Sequence, residues 1–240
     1  MTTKSERDVN PVVTKNFFIE LIADDSNYKE IYDITDMKIL SMAMKTSSLF
    51  QNALSPAEND SLRFDVNKAL QFTQESNHLS VVGYSDIIKI TSNSQAAVMV
   101  ELVVDTIKTI LGVTLSGNPL NKLTAVIESA YTQLYKERGK AWIFWEKKQE
   151  KKTTYQYNIT FSIQAGPTGA VLMTCPIGLT INVNKEYERV LFITLKDIET
   201  YSTRIQALNV AQIATTNSVL AEAGNTMLKA LIANGPRVVI

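Results

Sequence analysis

The clearest pattern along the chain is an alternation with a period of two between Thr153 and Asn184. Tyr155, Tyr157, Ile159, Phe161 and Ile163 fall on one face, and Gln156, Asn158, Thr160, Ser162 and Gln164 on the other. After the turn signal Ala165-Gly166-Pro167-Thr168-Gly169 the alternation resumes. Val171, Met173, Cys175, Ile177, Leu179, Ile181 and Val183 oppose Thr174, Pro176, Gly178, Thr180, Asn182 and Asn184, with Leu172 the one exception. Side chains alternate across a β-strand, so the segment reads as a long two-faced hairpin. Upstream, Pro11 to Ala23 reads as a strand, and Thr35 to Leu54 as a helix on Ile39, Met42, Ala43, Leu49, Phe50, Ala53 and Leu54. Asp65 is placed to cap a shorter helix carrying Val66, Ala69, Leu70 and Phe72. Leu79 to Ser92 reads as a strand in which Gly83 marks a bulge.

The segment Ser94 to Leu115 predicts the most apolar helix, with a polar stripe of only Glu101, Asp105 and Lys108. Ser116-Gly117-Asn118-Pro119 separates it from a second helix on Leu120, Leu123, Val126, Ile127, Ala130, Tyr131 and Leu134, with Pro119 suited to the first helical position. This αα-hairpin is either a layer over a sheet or a membrane-penetrating hairpin, and three charges in its first helix weigh against hydrocarbon. Beyond the uncharged hairpin, Arg189 to Ile198 is apolar on both faces and reads as a central strand. Tyr201 to Ile213 adds a further strand, and Asn217 to Ala233 a terminal helix. Helices followed by a meander of long strands predict an α+β single domain: residues 1–10 a flexible head, 11–213 the domain, 214–240 a helical tail that is either removable or a permanent cover.

Charge sharpens this picture. One-fifth of the residues are charged, yet the 32 residues from Thr153 to Asn184 carry no charge. A random run of that length has a probability of about 0.001, so the window calls for a reason. At about 3.3 Å per residue, runs of roughly 12 and 15 residues span about 40 and 50 Å, well beyond common soluble strands. They meet the conditions for a transmembrane β-strand: length, an apolar lipid side and an uncharged polar side. Lys147, Lys148, Lys151, Lys152 and Lys185 would lie at the headgroups, with Trp142, Trp145 and Tyr155 in an interfacial belt. A long half-buried sheet in water remains open as an alternative, and Pro176 leans that way because it removes a ladder donor. A polar face limited to Ser, Thr, Asn and Gln suits cover by helices in one state and contact with water in another.

Other chemistry is thin. With 24 basic and 24 acidic residues the chain is neutral, unlike a nucleic-acid binder. His78 is the single histidine and Cys175 the single cysteine. That leaves no disulfide, makes catalytic pairs hard to build and implies no metal site or cofactor. Cys175 reads as a packed thiol. Asn158-Ile159-Thr160 matches a glycosylation sequon, but the polar N-terminus has no signal-peptide core and the match reads as chance. No run of eighteen apolar residues predicts a transmembrane helix. The expectation is synthesis in the cytoplasm as a soluble protein and no enzyme activity.

The blocks Leu49–Leu54, Ile107–Gly117, Ala141–Trp145, Phe161–Gln164, Cys175–Gly178 and Leu191–Asp197, in that order and spacing, resemble the Cyt cytolytic delta-endotoxins from about Val12 to Gln212. The resemblance implies a β-sheet, mostly antiparallel, between two layers of helical hairpins. It implies a pore-forming insecticidal toxin made in the bacterial cytoplasm, with an inclusion as one form, and acting extracellularly on target-cell membranes. It further implies a protoxin that forms a homodimer, is activated by trimming of its ends, binds zwitterionic phospholipids without a protein receptor and assembles as a homo-oligomer. Under that reading Tyr155, Tyr157, Ile159, Phe161, Ile163, Val171, Met173, Ile177, Leu179, Ile181 and Val183 are the inserting residues. Gln156, Asn158, Thr160, Ser162, Gln164, Thr174, Thr180 and Asn182 line the lumen or face the covering helices, and Val104, Ile107 and Leu111 lie in a movable helix layer. Lys4, Arg7 and Lys15 are activation sites for a trypsin-type protease, or else ordinary surface charges. The segment Glu146 to Lys152 carries more charge than the family pattern, and the match fades after Ala214. Two alternatives stay open: a non-lytic lipid-binding or acyl-carrying virulence protein of the same fold, with Cys175 as an acylation point, and an interaction module whose strands never leave the core.

Overall fold

The computed structural model describes residues 17–21, 26–56, 62–92, 96–149, 151–166, 169–185 and 200–239. Lys4, Arg7, Lys15, most of the turn after Asn184 and the expected strand Arg189 to Ile198 lie outside them. The described strands are β1 (Phe17–Leu21), β2 (Lys29–Ile34), β3 (Leu54–Pro56), β4 (Leu62–Phe64), β5 (Ser80–Ser92), β6 (Ile143–Gln149), β7 (Lys152–Ala165), β8 (Val171–Val183), β9 (Thr200–Ile213) and β10 (Arg237–Val239). The helices are α1 (Met37–Phe50), α2 (Val66–Glu75), α3 (Ala96–Leu111), α4 (Gly117–Thr132), α5 (Leu134–Glu137) and α6 (Ser218–Asn234).

The main sheet runs β1-β2-β7-β8-β9-β5-β10, with β6 also paired to β7. β7, β8, β9 and β5 form an antiparallel meander. The lower half of β7 pairs antiparallel with β6, and the upper half pairs parallel with β2. β10 adds a short parallel strand on Tyr84–Asp86 of β5.

Local chemistry accounts for the ends of these elements. The Asp65 carboxylate accepts from the backbone N–H groups of Asn67 and Lys68, and Asn217 caps α6 in the same way. Asp36 caps α1, which continues as a 3₁₀ turn over Gln51–Ala53. The register of β5 slips between Val81 and Gly83, and a Cβ on Gly83 would stand 2.9 Å from the Pro236 ring. Pro119 occupies the third position of α4 rather than the first, because the helix already begins at Gly117. Pro176 sits mid-strand: the β8–β9 ladder skips from Thr174 to Ile177 without changing register, as a missing donor requires.

Two layers cover the sheet. α3 and α4 lie over one face, where Val104, Ile107 and Leu111 join the large core formed with the odd-numbered residues of β7, β8 and β9. α1, α2 and the β3–β4 ribbon cover the other face through two smaller clusters. One is built on Phe50, Phe64, Leu208 and Val210, the other on Tyr32, Ile39, Leu40 and Leu172. The Leu172 exception thus fills the seat beneath α1. α6 crosses the end of the sheet, bringing Met227 against Gly166 and Leu231 against Gly112.

Candidate functional site

The hairpin β7–β8 pairs in register from Thr153↔Val183 to Ala165↔Val171. Its apolar row, Tyr155, Tyr157, Ile159, Phe161, Ile163, Val171, Met173, Ile177, Leu179, Ile181 and Val183, is buried throughout beneath α3 and α4. The layer that contains Val104, Ile107 and Leu111 therefore lies on the apolar face, not on the polar face that the sequence picks out as helix-covered. The polar face is covered by α1, α2 and β4 instead. Gln156, Asn158, Thr160, Ser162, Thr174 and Thr180 are buried there. Gln164 is partly exposed, and Asn182, near the open end, is exposed.

The polar row satisfies itself largely within the sheet. Gln156 and Thr180 exchange hydrogen bonds of 2.6 and 2.9 Å, Ser162 and Thr174 pair at 3.1 Å, and the Thr154 hydroxyl donates to Asn182 Oδ1 at 2.6 Å. Few bonds cross to the cover. Gln212 Nε2 donates to Thr46 of α1 at 2.8 Å, and Gln164 Oε1 accepts from the backbone and hydroxyl of Thr35. Asn158 leaves both side-chain polar atoms without partners, and Thr160 leaves its hydroxyl so. Each such buried group costs about 1–3 kcal/mol. Shape holds this cover: Phe64 packs so tightly on Gly178 that a Cβ there would lie 2.5 Å from the Phe64 Cβ.

The apolar face is pinned as well as packed. Tyr155 Oη donates to the Ala130 carbonyl at 2.6 Å, Tyr157 pairs with Ser129 at 2.9 Å, and Tyr131 with Thr203 at 2.9 Å. Burial raises the pKa of Tyr131, Tyr155 and Tyr201, and pushes Tyr157 up to about 12. At the edge, Lys29 Nζ reaches Glu137 Oε1 at 2.8 Å while Trp142 Nε1 donates to Glu137 Oε2 at 3.1 Å. This buried cluster ties α5 to β2. Its ion pair joins residues 108 apart in sequence, and no local pattern announces it. Trp142 and Tyr155 are core residues in this state. Cys175 is fully buried, and desolvation raises its thiol pKa. His78 lies exposed beside Ser76, in the groove that Gln212 and Ile213 also line.

Among the described residues no three His, Cys, Asp or Glu side chains cluster as metal ligands, and no helix is long and apolar enough to cross a membrane. The geometry offers a different capability: a two-faced, uncharged strand pair whose faces are covered by separate layers.

Residues 9–229 match the model of the Bacillus thuringiensis toxin family. The chain is 37% identical to the Type-1Aa cytolytic delta-endotoxin of Bacillus thuringiensis subsp. morrisoni over 78% of this chain and 77% of that protein. It is also 37% identical to the Type-1Ba cytolytic delta-endotoxin of subsp. neoleoensis, over 79% and 73%. The crystal structure of the activated Cyt2Ba monomer from subsp. israelensis superposes with a TM-score of 0.73 at 29% identity, covering 80% of this chain and 100% of that one. A further solved delta-endotoxin gives 0.73 at 27% identity, covering 94% and 95%. With fold, sequence and family model in agreement, the chain belongs to the Cyt cytolytic delta-endotoxin family.

Proposed function

We propose that this chain is a non-enzymatic, membrane-lytic toxin made as a soluble protoxin. Trimming of its ends, including residues 1–10 and part of 214–240, precedes binding to zwitterionic phospholipid. The hairpin β7–β8 and neighbouring strands then insert as a homo-oligomer. The observation that carries this reading is the uncharged hairpin, with lipid-compatible side chains on one face and laterally hydrogen-bonded polar ones on the other. The relatives named above are cytolytic delta-endotoxins, and the activated Cyt2Ba monomer matches over its whole length, covering 80% of this chain.

Magnitudes locate the trigger. Baring the eleven apolar residues of the hairpin to water, at about 2 kcal/mol each, costs roughly 20 kcal/mol. That exceeds the 5–15 kcal/mol stability of a typical domain. Trimming alone therefore does not lift α3 and α4. Hydrocarbon must take their place, so opening belongs at the bilayer.

The test is dye release from phosphatidylcholine liposomes before and after brief trypsin treatment, with the products run on a gel. Release confined to trimmed protein is the expected result; an intact core with no release under either condition removes the lytic reading. A disulfide from Leu111 to Asn209, whose Nδ2 already lies 3.1 Å from the Leu111 carbonyl, should block lysis until reduced. Full activity with that lock closed would show that α3 need not leave.

One observation favours the non-lytic lipid carrier as a second reading. A groove of about 830 Å³ between α1 and α6 is lined by Met42, Leu49, Leu79 and Leu228, with Lys45 at its side. Its volume suits a single acyl chain. Mass spectrometry of extracted lipid, together with absent dye release, would select it.

A further inference from the structure

The two ends of the sheet are finished differently. At one end, β1 and β2 flank β7, and β10 caps Tyr84–Asp86 of β5. At the other end five strands form a ribbon, β6-β7-β8-β9-β5, whose rows run level from edge to edge. One row is Phe144–Gln156–Thr180–Arg204–Ile88, and the next is Trp145–Tyr155–Ile181–Thr203–Lys89. Among the described residues no strand pairs with the outer side of β6 or with the outer side of β5 from Ile87 to Ser92.

A free edge is a template for another strand, and soluble proteins usually blunt it with charge or bulges. β6 is blunted by a bulge: its register slips between Trp145 and Lys147. The free half of β5 is not. Ile88 is 58% and Ile90 68% exposed, with only Lys89 between them. Isolated exposed apolar residues are ordinary, but two on one unpaired strand edge make a contact surface.

We infer that this edge is where one copy of the chain joins the next: β5, from Ile87 to Lys89, pairs with Ile143–Trp145 of β6 in a neighbouring copy. The inference rests on the homo-oligomer reading above and names its interface. Four successive antiparallel pairings separate β6 from β5, so the two run in the same direction. Copies standing the same way up therefore join in parallel, head to tail, and the contact repeats around a ring. Facing is consistent too. Ile88 and Phe144 lie on the α1–α2 side of their shared row, so the joint sets an apolar residue beside an aromatic one. Lys89 and Trp145 share the opposite face, where an ammonium can rest on an indole. A symmetric β5–β5 joint that matched Ile88 with Ile90 would instead set Lys89 against Lys89, a repulsive pairing. The bulge after Trp145 limits the joint to Ile143–Trp145 on the β6 side, which keeps association weak in water.

The test is cysteine cross-linking on phosphatidylcholine liposomes in a Cys175→Ser background. Ile88→Cys and Phe144→Cys proteins are mixed, oxidised and run on a non-reducing gel, with glutaraldehyde cross-linking of the same samples in parallel. Neighbouring strands bring such positions within disulfide reach. The expected result is a reducible dimer at least tenfold stronger in the mixture than with either variant alone, and a ladder from the double variant. Dimers from Ile88→Cys alone would replace this joint with a symmetric one. Glutaraldehyde oligomers without any disulfide would overturn the interface and leave the oligomer reading standing. Absence of both products would overturn the oligomer reading itself. As a second check, Ile88→Lys/Ile90→Lys, at exposed positions that leave the core intact, should bind liposomes normally yet yield at least tenfold fewer oligomers. Undiminished assembly by that variant would also refute the joint.

Discussion

Tyr157 and Asn158 are adjacent on β7 and equally hidden from water, but they are held in opposite ways. Tyr157 packs in the main core and ties its hydroxyl to Ser129 on α4. Asn158 faces α1, α2 and β4 with neither amide atom partnered. The same contrast runs the length of the hairpin. The apolar face is joined to its cover by buried area, three tyrosine hydroxyls and the Lys29–Glu137 pair. The polar face is joined to its cover mainly by shape, with most of its hydrogen bonds running sideways between strands. Under the proposed insertion a bilayer would replace the first cover and water the second, so each solvent would suit one departure. The lesson is that burial alone does not measure commitment; what matters is where the polar atoms find their partners.

Substitutions can break or sharpen this contrast. The largest effect is expected at Lys29→Met, which strands a buried Glu137 carboxylate and should cost about 3–5 kcal/mol in urea unfolding. Lys29→Met/Glu137→Leu should recover most of that loss; a near-neutral single variant would mean the pair fastens nothing. Ile107→Ala should cost about 3 kcal/mol, against about 1 kcal/mol for Thr46→Val, which removes the partner of Gln212. Equal costs would erase the asymmetry between the faces.

Alkaline pH should loosen the apolar face through its buried tyrosines, while Tyr28 and Tyr32, whose pKa values burial also raises, carry the same sensitivity to the opposite face. The folded protein holds Tyr157 protonated up to about pH 12, whereas in an unfolded chain it ionises near 10. Its contribution is thus complete below about pH 10 and lost as pH rises towards 12, on the order of 2–3 kcal/mol. The raised pKa values of Tyr131, Tyr155 and Tyr201 act in the same direction. Stability measured across that window should fall, and Tyr157→Phe should flatten the slope. The smallest stability effect is expected at Asn158→Leu, neutral or stabilising by about 1 kcal/mol because it removes unpartnered groups. The same change should weaken dye release if that face meets water in the inserted state. Undiminished release would separate the polar row from the pore.

Much of this fold is legible in the sequence because its long elements bury one face each. The alternation of β7 and β8, the helical spacing of α3 and α4, the Asp65 cap and the Gly83 bulge follow from side-chain geometry within a few residues. The assignment of each helical layer to a face does not, since an amphipathic helix declares that it covers something apolar without naming it. The hairpin's polar residues read as the natural floor for the movable helices, yet Ile107 and Leu111 lie on the apolar side. β2 has no such signal in the pattern: Lys29 and Glu30 break its apolar run, and their partners, Glu137 and Ser26, become visible only once the chain has folded.

Cys175 stands at the centre of the apolar row, fully buried, its thiol kept protonated by desolvation. In the closed molecule a thiol-reactive dye therefore has nothing to label. The native sequence carries its own stopwatch for the proposed opening: if α3 and α4 leave at the bilayer, the moment Cys175 begins to react dates their departure. Timing that signal against leakage from the same vesicles would tell whether the molecule opens before the membrane does.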